Sequence, residues 1–251
     1  MNAAYGIVTK EIAGELEAIV GKANLLTDLE RIENYSHDET SKEEYARNPE
    51  VVLTPVSAQQ IAAVMRVATR ERIPVTPRGA GSGLSGGAIP VFGGIVLSVQ
   101  KMNKVLEIDE ANLTVTAQAG IVTNELNEQL KSRGLFFAGY PMSLETCFLG
   151  GNIAENAGGG KAVKYGVTGR YILGMEVVTP QGDIVELGGK VTKDVSGYDL
   201  KQLYIGSEGT LGIITKATIK LLGLPKVASD LLVPFATAQQ AIAVVPLIMK
   251  Q

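Results

Sequence analysis

Cysteine and histidine are nearly absent from this sequence: its 251 residues hold one of each, Cys147 and His37. A lone cysteine forms no internal disulfide, and one Cys with one His makes no transition-metal cage without ligands from elsewhere. Basic charge is scarce too. Lys plus Arg number 23 against 26 Asp plus Glu, a net charge of −3 with no basic block, so a nucleic-acid surface has nothing to be built from. Long apolar runs are missing as well. The start, MNAAYGIVTKEIAGELEAIV, carries acids where a signal peptide has a basic head and an apolar centre, and later apolar stretches meet Gly or Pro well before the ~18 residues of a membrane span. These absences predict a cytoplasmic chain with no transmembrane segment and no nucleic-acid partner. Disorder is excluded by the opposite observation, since 45% apolar and 20% charged residues supply a sizeable core.

Local patterns predict mixed secondary structure. Helices are expected over 9–22 and 27–34, the second opened by Thr27 with Glu30 at the capping-box spacing. Residues 43–50 read as charged linker. Val51 to Pro55 reads as a short buried strand, and Ser57 with Gln60 opens a helix that sets Ile61, Val64, Met65 and Ala68 on one stripe. With a second strand over 73–77 this makes a β-α-β unit with parallel strands. Alternating segments 104–109 and 113–118, with Leu113, Val115 and Ala117 on one face, predict an antiparallel hairpin. A helix over 122–132 turns Leu126 and Leu130 inward and stops at Gly134; strands follow over 174–179, 184–187 and 211–222. Leu231 to Val233 reads as a strand, and Thr237 with Gln240 opens a helix whose apolar face has no partner left in the sequence. That ending is expected of a chain cut just inside a second domain.

Glycine is the residue in excess: 29 of them, without collagen periodicity, gathered in three clusters. The first, Arg78-Gly-Ala-Gly-Ser-Gly-Leu-Ser-Gly-Gly-Ala88, follows a predicted strand, and five glycines there let successive backbone N–H groups turn toward one centre, which suits an anion. A dinucleotide-binding Rossmann loop is excluded by context, because residues 89–94 and a strand over 95–99 follow instead of a helix, and no acid stands near position 100. Arg78 either pairs with that anion or with a local acid. The second cluster, 141–160, combines small residues at 150, 151, 154, 157 and 158 with the hydrogen-bonding side chains of Ser143, Thr146, Asn152 and Asn156, as a wall for a planar ligand does. The third, 197–212, places Glu208 amid turn glycines, where it also could simply cap a turn. Cys147 reads as a packed small hydrophobe and His37 as a surface residue.

Four ordered motifs carry a resemblance: PRGAGSGLSGG (77–87), LGGNIAENAGG (149–159), KYGVTGRYILGMEVV (164–178) and GYDLKQLYIGSEGTLGIIT (197–215). Together they resemble the FAD-binding half of the vanillyl-alcohol-oxidase and p-cresol-methylhydroxylase (PCMH) superfamily, in the branch of the flavin-carrying glycolate oxidase polypeptide and the FAD-linked D-lactate and D-2-hydroxyglutarate dehydrogenases. The resemblance implies an α+β, PCMH-type FAD-binding domain over 1–225, made of subdomains over about 1–100 and 101–225, with the start of a truncated cap domain over 226–251. It implies that the loop Arg78, Gly79, Ala80, Gly81, Ser82, Gly83 and Leu84 wraps the FAD diphosphate with its N–H groups, with Pro77 also among the cofactor-binding residues. Pro141, Ser143, Thr146, Gly150, Gly151, Asn152 and Gly158 then line the ribityl chain and isoalloxazine, and Glu208, Gly209, Ile213 and Ile214 sit by the adenine half and the far side of the cavity. Ser82 stands where covalent relatives carry a flavin-linking histidine, which implies non-covalent FAD. The implied activity is oxidation of a small D-2-hydroxy acid, lactate or glycolate, with electrons passed to an electron-transfer flavoprotein, an iron–sulfur protein or a quinone. Catalytic residues and a divalent metal are expected in the cap, so none is named here. An FAD-carrying electron-transfer subunit without a substrate site is the alternative.

Overall fold

The run Val51-Val52-Leu53 is buried at every position, the mark of a strand covered on both faces, and this decides the first half of the molecule. The computed structural model describes residues 5–250. Helix α1 (Lys10–Val20) leads to β1 (Leu25–Leu26), the single turns α2 (Leu29–Ile32) and α3 (Lys42–Tyr45), β2 (Val51–Leu53), α4 (Ala58–Glu71), β3 (Val75–Arg78) and β4 (Ile95–Ser98). The strands order as β1-β2-β4-β3. The expected β-α-β unit therefore does not place its two strands side by side: β4 lies between them, parallel to both, with Ile95 opposite Val51 on one side and Val75 on the other. Ile95, Val96 and Leu97 are fully buried, so the most apolar strand takes the centre.

Helix α4 starts where expected. Ser57 Oγ accepts from the Gln60 N–H at 3.2 Å, while the Gln60 side chain accepts from Val56 N–H rather than from the cap residue itself. Its buried stripe, Ile61, Val64, Met65 and Ala68, is the predicted one. Arg66 Nη2 and Thr69 Oγ1 then donate to the carbonyls of Gly182 and Pro180, tying this helix to the second sheet.

That second sheet follows from hairpins. β5 (Val105–Asp109) and β6 (Thr114–Gln118) pair antiparallel, α5 (Thr123–Lys131) buries Leu126 and Leu130, and β7 (Leu135–Phe136) precedes α6 (Leu149–Glu155) and the turn α7 (Ala162–Tyr165). β8 (Ile172–Val178), β9 (Ile184–Gly188), the turn α8 (Lys201–Tyr204), β10 (Ile213–Lys220) and β11 (Leu222–Gly223) complete the order β5-β6-β10-β8-β9, antiparallel throughout, beside a β7–β11 pair. One core joins both sheets: Ile61 and Val64 of α4 and Met175 and Val177 of β8 belong to the same buried cluster.

Several expectations are corrected. Asp28, not Thr27, caps α2, because Asp28 Oδ1 takes both the Glu30 and Arg31 N–H groups. The 43–50 linker contains part of α3. Leu113 is a turn residue with φ +52° and an exposed side chain; Asp109 captures Asn112 and lengthens the turn. Residues 231–233 form no strand, since nothing pairs with them among the described residues and Leu231 and Leu232 are exposed. Helix α9 (Ala238–Met249) forms with Thr237 accepting from Gln240 N–H, and none of its residues is buried. No helix among the described residues is long and apolar enough to cross a membrane.

Candidate functional site

The three glycine clusters, far apart in the chain, meet around one cleft of about 440 Å³. Strand β3 delivers the first: its last residue, Arg78, leaves the sheet into the 79–88 loop. Gly81 takes φ +77°, and a Cβ there would overlap the Arg78 guanidinium, so both conformation and space demand glycine. None of the backbone N–H groups of residues 79–85 donates a hydrogen bond to another described residue, whereas the next, Gly86 N–H, is held by Asp38 Oδ2 at 2.8 Å. Unused backbone donors on a loop lining a cleft are the donor set of an anion nest.

The second cluster is a helix, contrary to the propensity of Leu149-Gly150-Gly151-Asn152. Tertiary packing overrides it. Gly150 N–H donates to Ala119 O at 2.7 Å, and a Cβ on Gly150 would lie 2.7 Å from that of Ala119, so the helix seats directly on the end of β6. Gly151 is different: a Cβ there would meet no protein atom within 4 Å, its φ is not positive, and it lines the cleft. No protein contact requires that glycine, and the space it leaves belongs to the cleft. Gly79 and Gly151 face each other, a Cβ on the former lying 3.4 Å from the Cα of the latter. The adjoining Asn152 is buried, its amide donating to Thr123 Oγ1 at 2.7 Å; the buried Cys147 thiol packs on the same hydroxyl at 3.4 Å.

The third cluster closes the far side. A Cβ on Gly209 (φ +78°) would come within 3.0 Å of Pro77, and Ser85 Oγ donates to Glu208 Oε1 at 3.2 Å. Glu208 itself holds φ +51°, with its N–H on Ala154 O.

The cleft is lined by residues 77–84, by Pro141, Ser143, Gly150, Gly151, Asn152 and Gly158, and by Glu208, Gly209, Ile213 and Ile214. Thr146 is not on this cleft: it lies on a neighbouring cavity of about 460 Å³ behind the loop, which shares Gly79, Ala80 and Ser82. The Arg78 side chain is a correction to the idea of an anion-gripping arginine. Nη1 donates to the carbonyls of His37 (2.7 Å) and Ala88 (3.3 Å), Nη2 to that of Asn34 (3.3 Å), and the guanidinium lies 5.6 Å from the centre of the Tyr35 ring. Burial pushes its pKa down, with Tyr35 and Asp38 opposing. His37, the sole histidine, lines neither cavity; its Nδ1 meets Ser36 Oγ at 3.1 Å.

Three lining residues carry signals that sequence reading missed. Phe148 precedes α6, and two further carboxylates, Asp38 and Glu155, join Glu208 on the wall. Asp38 sits in Tyr-Ser-His-Asp-Glu with no glycine to flag it, and only its burial marks it out. Glu155 is held above the ordinary glutamate range, first by partial burial and then by the carboxylates of Glu208 and Asp38. A raised folded-state value means that the fold favours the protonated acid. That contribution is complete below the unfolded glutamate range and is lost as pH rises through the folded value. Glu155→Gln is therefore expected to flatten this loss and to melt above the wild type at neutral pH; unfolding midpoints between about pH 4 and about pH 8 measure it. Equal pH profiles for the two proteins would show that neither burial nor the neighbouring carboxylates shift this group. Among the described residues no group of three or more His, Cys, Asp or Glu is arranged to hold a metal ion.

The residues present fit a flavin dinucleotide on two counts. The 79–85 row offers unpaired N–H donors to a diphosphate, and the side-chain-free Gly151 wall leaves room for a flat ring beside α6. Comparison with known proteins points the same way. The family model described as FAD binding domain matches residues 49–188. Glycolate oxidase subunit GlcD of Bacillus subtilis (strain 168) is 42% identical over 226 residues, 90% of this chain and 48% of that protein. D-lactate dehydrogenase of Anaerostipes hadrus is 43% identical over 242 residues, 96% of this chain and 50% of that protein. A solved alkyldihydroxyacetonephosphate synthase superposes with a TM-score of 0.79 at 27% identity, covering 90% of this chain and 43% of that one. The chain thus spans about half the length of the curated relatives it matches.

Proposed function

This chain belongs to the FAD binding domain family, and on that premise we propose that it carries the flavin of a dehydrogenase oxidising a small D-2-hydroxy acid, lactate or glycolate, to the 2-oxo acid. The observation that carries the reading is the row of unpaired backbone donors at 79–84 on the shared cleft. FAD, when bound, supplies the hydride acceptor, which no side chain can be. The chain's own part is to bind and orient. The N–H groups after β3 hold the diphosphate without side-chain crowding, and Arg78 shapes their loop from below. Pro141, Ser143, Gly150, Gly151, Asn152 and Gly158 line the flavin half, with Asn152 fixed in place by Thr123; Thr146, on the neighbouring cavity, takes no part. Glu208, Gly209, Ile213 and Ile214 flank the adenine half. Ser82 stands where covalent relatives carry a linking histidine, and this reading takes the cofactor as non-covalent. The lining residues include no histidine to act as a base near neutral pH. In this reading the proton acceptor, the divalent metal and the substrate-carboxylate contacts lie in residues outside this chain, and electrons leave to a protein or quinone acceptor.

The full-length protein, expressed with ample riboflavin, is expected to be yellow and to bleach anaerobically when D-lactate or glycolate is added. A yellow protein that no 2-hydroxy acid bleaches would favour an FAD-carrying electron-transfer subunit. A colourless protein that takes up no FAD would overturn the flavin assignment itself.

A further inference from the structure

Three consecutive residues, His37, Asp38 and Glu39, each hold a different point of the glycine loop. His37 O accepts from Arg78 Nη1 at 2.7 Å, at the loop's start. Glu39 N–H donates to Gly83 O at 3.0 Å, at its middle. Asp38 Oδ2 accepts from Gly86 N–H at 2.8 Å, at its end. Asp38 Oδ1 is in turn fixed by Thr40, from its N–H at 2.9 Å and its hydroxyl at 2.6 Å, and the residue is only 5% exposed.

Such a tether matters because the loop between these points has little of its own to fix it. It holds five glycines and, from 79 to 85, no internal backbone donor bond among the described residues. Glycine-rich backbone has the most conformations to lose on ordering. A peptide unit is planar, with its C=O and the following N–H opposed. Pinning Gly83 O on Glu39 therefore aims the Leu84 N–H away from the 37–39 segment, among the donors left unpaired. Anchoring Gly86 N–H on an acceptor-only carboxylate fixes where the nest stops.

On the flavin reading above, we propose that Asp38 is the positioning residue for the diphosphate: it shapes the donor loop in advance and does not touch the ligand. Charge alone argues the opposite sign. A carboxylate on the cleft wall repels a dianion, so Asp38→Asn should strengthen FAD binding if electrostatics ruled. The positioning role predicts weakening, because the amide has one acceptor oxygen and cannot serve both Gly86 N–H and the Thr40 donors.

The test measures binding of FAD, ADP and riboflavin to wild type and Asp38→Asn by titration calorimetry. Loss of about tenfold is expected for FAD and for ADP, which carry the diphosphate, with riboflavin unchanged. Equal or tighter FAD binding by Asp38→Asn, or equal weakening for riboflavin, would overturn the proposal while leaving the flavin reading intact. Failure of the wild type to bind FAD would instead end that reading and this proposal with it. If Asp38→Asn does not fold, Thr40→Val decides the matter: it keeps the carboxylate but removes one of its tethers. Weakening of FAD and ADP binding by about threefold, at an unchanged melting temperature, is expected for it, and unchanged affinity refutes the role.

Discussion

Gly151→Leu is expected to abolish FAD binding while leaving the ligand-free protein at least as stable as the wild type. The two halves of that outcome come from one observation. A Cβ on Gly151 meets no atom of another part of the fold within 4 Å, so the first carbon of a side chain has open space there. The residue lies inside α6, where replacing glycine by a good helix former contributes about 0.5–1 kcal/mol. Yet the open space beside it is the cleft, and a leucine side chain would fill the wall on which a flat ring lies. Affinity should fall at least about a hundredfold, ~2.7 kcal/mol, read by flavin fluorescence titration alongside thermal melts of the apoprotein. A variant that melts normally and still takes up FAD at wild-type affinity would show that the flavin does not pass along this helix.

Arg78→Met gives the second large effect, in stability before cofactor is considered. The guanidinium is the shared partner of three backbone carbonyls, those of Asn34, His37 and Ala88, and is 7% exposed. Methionine matches much of its length and none of its donors. Leaving these part-buried carbonyls without their donor costs about 1 kcal/mol each, the low end for an unmade bond, partly offset by relief of a desolvated cation; a net loss on the order of 2 kcal/mol lowers the melting temperature by roughly 4–8 °C. Arg78→Lys should recover little of this, because a single ammonium cannot reach in the directions of a planar fork. An apoprotein carrying Arg78→Met that melts like the wild type, and loses only FAD affinity, would restore the arginine to the role of anion ligand.

The two substitutions show how far the sequence could be read. Gly150 and Gly151 stand side by side, and both read as places where a planar ligand approaches backbone closely. In the fold one is glycine because Ala119 at the end of β6 presses on it, the other because the cleft needs the room. Arg78 beside a nest reads equally as an anion partner or as a local pairing residue. Its place at the buried end of β3, facing carbonyls that arrive from residues 34 and 37, settles the matter, and no pattern near position 78 carries that information. Asp38 was invisible for the same reason.

What the sequence by itself determined is much, though not all, of what neighbouring residues control: Asp28 rather than Thr27 caps α2. The Ser57 and Thr237 caps, the stripe on α4, the hairpin of β5 and β6, and the glycine loops, whose ordered motifs are specific enough to indicate a flavin-binding family, depend on spacings of a few residues along the chain. Tertiary structure alone decided that β4 enters between β2 and β3 and which polar groups shape the glycine loop, whereas the meeting of the three glycine clusters at one cleft is what the resemblance implied. Those outcomes rest on bonds such as Gly86 to Asp38, 48 positions apart, and Ser85 to Glu208, 123 apart. Contacts of that range form only when buried surfaces fit together, and packing is a property of the whole chain that no local window records.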